Sequence, residues 1–249
     1  VRDDSFGSAE VISDDPFTVR YTVSDQARWS DGVPVSAADL LLAWVANSRA
    51  LDTADVDAEE FVDPETGRMG VLPDGVVAFD GALGRGLEHT SRMPEVSRDG
   101  RSVTIEFDER LTGWLTALAP GLPAHVVAAR ALDLPLREEG EARTDLGLAA
   151  DATARLIDAV LDRDDDALSM IADVWNHGFD LTGAAPDEDL LVASGPYRVS
   201  QVADGRVTLS ANPFYRGDRA PHIETIVLRT VVDADALVIE RVAEIAAAR

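Results

Sequence analysis

Period-two and period-3.6 patterns alternate along the whole chain, predicting an α/β fold: a mixed β-sheet with flanking helices. Three observations carry this expectation. Strand-like alternation appears at Phe17–Val23, at Ser102–Phe107 and in two runs joined by Asp204-Gly205. Helical stretches fill the intervals, and no linker-like segment divides the chain. A single unit over residues 1–249 is therefore expected, large enough to bury roughly 70–75% of its unfolded surface.

The elements follow in order. Phe17-Thr18-Val19-Arg20-Tyr21-Thr22-Val23 alternates as a half-buried strand does. Trp29–Pro34 contains Asp31-Gly32 and reads as a turn. Ser36 and Asp39 form a capping-box pattern ahead of an apolar helix that runs through Trp44 to about Leu51. The helix is apolar all round in its first half, which predicts burial on more than one face. Residues 52–80 read mostly as loop, with a short strand at Val76–Phe79. Asp99-Gly100 signals a hairpin before Ser102–Phe107.

Short helices are expected at Gly113–Ala119 and Ala124–Leu132, split by Pro120 and Pro123. Leu134–Leu146 reads as charged loop, and Ala149–Leu161 and Asp165–Trp175 as amphipathic helices. The Asp164-Asp165-Asp166 run suits a helix start, where carboxylates complement the macrodipole. Tyr197–Val202 and Arg206–Ser210 form a hairpin; His222–Val232 reads as a long strand and Ala234–Ala248 as a closing helix.

Composition excludes whole classes of chemistry. The 46 acidic residues (31 Asp, 15 Glu) face 22 basic ones, for a net charge of −24. Every basic residue is arginine; lysine and cysteine are both absent. Schiff bases, P-loop lysines, thiol nucleophiles and disulfides are thereby removed. So acidic a surface repels phosphate backbones and anionic headgroups, so nucleic acid and polybasic membrane docking are not expected. The composition fits either GC-rich coding bias or adaptation to salt. The chain opens Val1-Arg2-Asp3-Asp4, which fits a removed signal or a piece of a longer protein.

No constellation points to catalysis, and no metal or cofactor is expected. His89, His125, His177 and His222 lie 36, 52 and 45 residues apart, without metal-ligand spacing, and read as surface or loop residues. No G-x-S-x-G elbow occurs. Gly81–Gly86 reverses the dinucleotide-loop order and reads as a loop. Asp63–Gly67 fails as a calcium loop because Arg68 stands where glycine is needed. Trp44 belongs in the core, whereas Trp114 and Trp175 sit near helix edges. Trp175, Asn176 and His177, an aromatic beside two polar residues at a helix end, are the candidate ligand-binding residues.

Two blocks carry a resemblance. FTVRYTVSDQARWSDGVPVSAADLLLAW (17–44) resembles the signature of family 5 extracellular solute-binding proteins. SGPYRVSQVADGRVTLSANPFYRGDRAPHIETIVLRTVVDADAL (194–237) is similar to the same family's Gly-Pro-Tyr strand, hairpin and Asn-Pro-x-Tyr turn. Between them, Leu122-Pro123-Ala124-His125 resembles its Pro-x-His segment.

The resemblance implies most of lobe I of a two-lobe, class II periplasmic-binding-protein-like fold. Residues 10–190 would be an inserted subdomain region and 191–249 the main sheet and start of the crossover, with the second lobe outside the chain. It further implies a non-enzymatic receptor that captures oligopeptides or related solutes for an ABC transporter permease. Such a receptor works outside the cell membrane, extracellular or periplasmic, and touches the membrane only through a lipid anchor absent from this chain. The alternatives are a non-transport interaction module on the same fold, or a receptor for a sugar or metal chelate. After Asp235-Ala236 the chain lacks the family's usual Gly-acidic-x-Asp turn, which implies that the crossover is altered or cut.

Overall fold

Strand β1 (Gly7–Asp14) turns through Asp15-Pro16 onto β2 (Phe17–Val23), and this antiparallel pair begins a four-stranded sheet. The computed structural model describes residues 5–81, 86–90, 92–180, 187–203 and 205–229. In β2 the alternation is carried through fully: Phe17, Val19, Tyr21 and Val23 are buried, and the residues between them are not. β3 (Glu95–Val96) and β4 (Ser102–Glu106) complete the order β1-β2-β4-β3, with Gly100 supplying positive φ in the turn before β4.

Helix α1 (Ala37–Ser48) packs between this sheet and the helices that follow, so eleven of its twelve residues are buried. That enclosure is why its first half has no polar face. Both halves of the capping box form: Ala38 N donates to Ser36 Oγ at 3.3 Å and Ser36 N to Asp39 Oδ2 at 2.7 Å.

Past α2 (Trp114–Ala117), helix α3 (Ala124–Ala131) packs against both members of the pair α4 (Leu146–Asp162) and α5 (Asp165–His177). Ala149, Ala152, Leu156, Ala159 and Val160 form the buried stripe of α4; Ala167, Leu168, Ile171 and Ala172 form that of α5. Asp164 caps α5 by accepting from Ala167 N at 3.1 Å, with Asp165 and Asp166 in its first turn.

A second sheet of order β5-β6-β7 contains β5 (Tyr197–Ala203), β6 (Arg206–Ala211) and β7 (Thr225–Arg229).

The α/β class is as expected, but the pairing differs. Where one mixed sheet was anticipated, the described strands form two separate sheets, antiparallel throughout. Short turns join β1 to β2 and β3 to β4, and β2 and β4 meet antiparallel although α1 and β3 lie between them in the chain. β1 lacks a clear sequence signal because Ile12 falls on its outward side while Gly7 and Ser13 fall on its inward side. Val76–Phe79 is no ladder strand; its main chain bonds instead to Thr53 and Asn176 side chains and to Thr53 N. The expected helix 234–248 and residues 82–85 of the 81–86 loop lie outside the described residues, as does the end of the strand expected to reach Val232.

Candidate functional site

Two of the concavities bear on the residues singled out above. The larger is a cleft of 740 Å³ between the Trp29–Gly32 turn, the loop ahead of α4, the 188–192 segment and strand β5. Its floor is built by the turn. Gly32 has φ +97°, and a Cβ there would stand 3.1 Å from the Phe214 ring, so both conformation and space demand glycine.

Asp31 ties three parts of the chain together. Its Oδ1 accepts from Val33 N at 3.1 Å; its Oδ2 accepts from His125 Nε2 at 2.8 Å and from Thr144 Oγ1 at 3.3 Å. Burial works to raise the Asp31 pKa, but the His125 bond and charge, with Val33 N and Thr144, outweigh it. The carboxyl therefore sits below the usual carboxylate range. His125 is itself only 1% exposed, not the surface or loop histidine expected. The apolar run Ala124–Ala129 that surrounds it on α3 was the signal for its burial.

Behind this pair, Asp39 accepts from Ala124 N (2.8 Å), Ser36 N (2.7 Å) and Trp29 Nε1 (3.2 Å). Burial raises its pKa, while these donors and the nearby His125 pull the other way. Across the cleft, both terminal nitrogens of Arg137 donate to the Asp189 carboxylate, one at 2.9 Å, holding the 188–192 segment against the helices. The Asn-Pro turn closes the far wall: Asn212 Nδ2 donates to Gly195 O at 2.9 Å, and Phe214 N donates to Asn212 Oδ1 at 2.9 Å.

The smaller concavity, 370 Å³, lies between residues 71–76 and α5, and holds Asn176 and His177. Three consecutive residues at the end of α5, Trp175, Asn176 and His177, act together here. Trp175 Nε1 donates to Asp80 O at 3.1 Å, and its ring meets Phe79 edge-on at 6.5 Å. Asn176 takes both sides of the same segment: Asp80 N donates to its Oδ1 at 2.8 Å, and its Nδ2 donates to Ala78 O at 3.0 Å. His177 donates from Nε2 to Met69 O at 2.8 Å and from Nδ1 to Asp173 Oδ1 at 3.0 Å. Burial opposes a charge on this ring, but the Met69 carbonyl and Asp173 carboxylate win and raise its pKa. Sequence reasoning groups these residues as ligand contacts; in the structure their polar atoms hold residues 69–80 in place, and the surface left to a solute mixes exposed Val71 and Met170 with polar groups such as Asp74, Arg130 and Ser169.

Among the described residues no three His, Asp or Glu side chains converge as a metal ion would require. No described helix is long and apolar enough to cross a membrane.

The sequence pattern of the family described as "Bacterial extracellular solute-binding proteins, family 5 Middle" matches residues 7–240. A Mycobacterium tuberculosis (strain H37Rv) protein named as an uncharacterized lipoprotein is 30% identical over 225 residues, covering 88% of this chain and 32% of that protein. A Mycobacterium leprae (strain TN) lipoprotein, also named as uncharacterized, is 26% identical over 224 residues with the same coverage. Thus the chain spans about a third of the length of the curated relatives it matches.

Among solved structures, the periplasmic EDTA-binding protein EppA aligns with a TM-score of 0.56 at 22% identity, over 94% of this chain and 32% of that one. The Bacillus subtilis oligopeptide-binding protein AppA, solved with a nonapeptide, aligns with a TM-score of 0.52 at 16% identity, with the same coverage. At these identities the likeness establishes the fold: part of a class II periplasmic binding protein.

Proposed function

The chain belongs to family 5 of the bacterial extracellular solute-binding proteins, a non-enzymatic family, and from that premise we propose that it serves as part of the substrate-binding component of an ABC importer. The solute would be an oligopeptide or related molecule, captured outside the cell membrane and handed to a permease. The observation that carries this reading is the unbroken family match over residues 7–240, which takes in both sheets and both concavities. The lipoprotein names of the mycobacterial relatives support an anchored receptor on the outer face of the membrane. In this reading residues 10–190 form an inserted subdomain region and 191–249 the main sheet and the start of the crossover.

In this proposal the end of α5 forms one wall of the solute site. Trp175, Asn176 and His177 act by fixing residues 69–80, and the solute meets the apolar surface of Val71 and Met170 that this fixing presents. An extended peptide suits such a wall, because main-chain hydrogen bonds from elsewhere would supply affinity and loose pockets would accept varied side chains. A non-peptide solute is the second reading, supported by the fold's likeness to an EDTA-binding protein. Thermal-shift and calorimetric titration of the full-length protein with peptide pools tests the choice. Stabilisation by peptides is expected; its absence, with stabilisation by metal chelates or sugars, would overturn the peptide reading.

A further inference from the structure

The 740 Å³ cleft is lined by three arginines and three carboxylates, an even balance in a chain with about two acids for every base. Two of its carboxylates are engaged internally, Asp31 by His125 and Asp189 by Arg137. That leaves Glu188 as the remaining acid among its lining residues, which also include Arg143 and Arg198, neither of which forms an ion pair among the described residues. In a protein with about two acids for every base, the cleft thus presents two uncommitted guanidinium groups against one carboxylate.

Apolar side chains share the lining with the arginines and with Ser30, Thr144 and Ser200. Leu146, Leu191, Val199 and Phe214 contribute to it, and Leu146 stands 56% exposed at the start of α4. The walls are held in register by the Asp31–His125–Thr144 bonds, the Arg137–Asp189 pair and the Gly32–Phe214 contact. Its volume falls within the roughly 300–1,000 Å³ usual for a small-molecule site, and its lining combines apolar surface with charged groups that could orient a ligand.

We propose that this cleft binds a monoanionic carboxylate with an apolar body, its carboxylate held by Arg143 and Arg198 and its body lying on Leu146, Leu191 and Phe214. The planar guanidinium matches a carboxylate in two-point geometry, which favours this head group. Glu188 and the surrounding field of the −24 chain disfavour a second negative charge, which excludes phosphate monoesters and dicarboxylates. This site is separate from the wall at the end of α5 and does not depend on the peptide-transport reading.

The test is a fluorescence titration of the full-length protein with dansyl-leucine, compared with dansyl-leucinamide, which differs only in lacking the carboxylate. Dansyl-leucine binds, and the amide binds at least tenfold more weakly. Replacing both arginines (Arg143→Gln with Arg198→Gln) weakens dansyl-leucine at least tenfold while leaving the unfolding temperature and the response to peptide pools unchanged. Glu188→Gln tightens binding about twofold, because one like charge is removed at a screened distance. Equal affinity for acid and amide would overturn the proposal. So would a double variant that binds as the parent does, or no binding of dansyl-leucine up to about 1 mM, a free energy near −4 kcal/mol.

Discussion

Every buried hydrophobic side chain among the described residues lies between Phe17 and Ala172, whereas no residue of β5, β6 or β7 is buried. Both regions show strand alternation in their sequences, and both fold into antiparallel sheets. The first sheet has α1 lying across one face, and its inward residues reach zero exposure. The second has no covering layer among the described residues, and Ile223, Val227 and Leu228 stand 59%, 48% and 52% exposed. Alternation therefore reports the period of a strand, and only packing partners decide whether its apolar face becomes core. Polar ties join the two regions: Ala193 N donates to Ser30 Oγ at 3.1 Å, and Arg137 pairs with Asp189.

The strongest way to break this contrast is to remove the centre of the first region. Trp44 is fully buried on α1, and its Nε1 donates to Thr90 Oγ1 at 2.8 Å. Trp44→Ala removes the largest payload of buried apolar surface and leaves a cavity that helices on one side and strands on the other cannot both collapse into. The expected cost is about 3–5 kcal/mol in equilibrium urea unfolding. A cost below about 1 kcal/mol would mean that the first region is no better packed than the second.

Next in size is the polar anchor inside that core. Asp39→Ala leaves Ala124 N, Ser36 N and Trp29 Nε1 without their acceptor. Each orphaned buried donor is costly, though losing a desolvated carboxylate offsets part of the penalty. The expected loss is about 2–3 kcal/mol by the same measurement. Because Asp39 links the turn, α1 and α3, the variant is also expected to raise amide exchange at Ala124, which a merely local cap would not do.

How much of this was legible follows from the range of each interaction. The Ser36–Asp39 box, the Asp164 cap and the Asp99-Gly100 turn are local: donor and acceptor lie within a few residues, so the spacing of residue types announces them. Burial of α1 was legible because a helix with no polar face has nowhere to be but inside. The second function of Asp39, accepting from a residue 85 positions away, left no local mark. The same holds for His125 with Asp31, 94 positions apart, which sequence separation alone hid. Trp175, Asn176 and His177 were singled out for their chemistry, yet their partners in residues 69–80 lie about a hundred positions back. The sheet pairing was misread as mixed because alternation carries no information about strand direction.

A smaller effect, of opposite sign, sharpens the picture at the edge of the first region. Asp52 follows α1, and its Oδ1 is buried without a hydrogen-bond partner. Burial pushes its pKa from 3.8 up to about 6, against the pull of Arg49 and Phe79 N. The folded state therefore holds this proton more tightly than the unfolded chain does. Its contribution to stability is best below pH 4 and is lost as pH rises from about 4 through about 6. Asp52→Asn removes that loss and is expected to stabilise the protein by about 1 kcal/mol at pH 7–8, after discounting for partial solvent screening. Unfolding free energies of the two proteins should converge by pH 4. A constant difference across pH 4–8 would assign the effect to shape and not to charge.

The smallest expected effect belongs to the second region and tests the contrast from its other side. Leu228 in β7 pairs in register with Val207 of β6, but half its surface faces solvent. Leu228→Thr places a β-branched, strand-favouring residue in the ladder and removes apolar surface, half of which faces solvent. The change is expected to stay within about 0.5 kcal/mol. The same substitution at fully buried Leu156 of α4 would cost several times more, since it strands a hydroxyl in the core. If Leu228→Thr in the full-length protein costs more than about 1.5 kcal/mol, β7 has cover beyond the described residues, and the two regions differ in what covers them and not in how they pack.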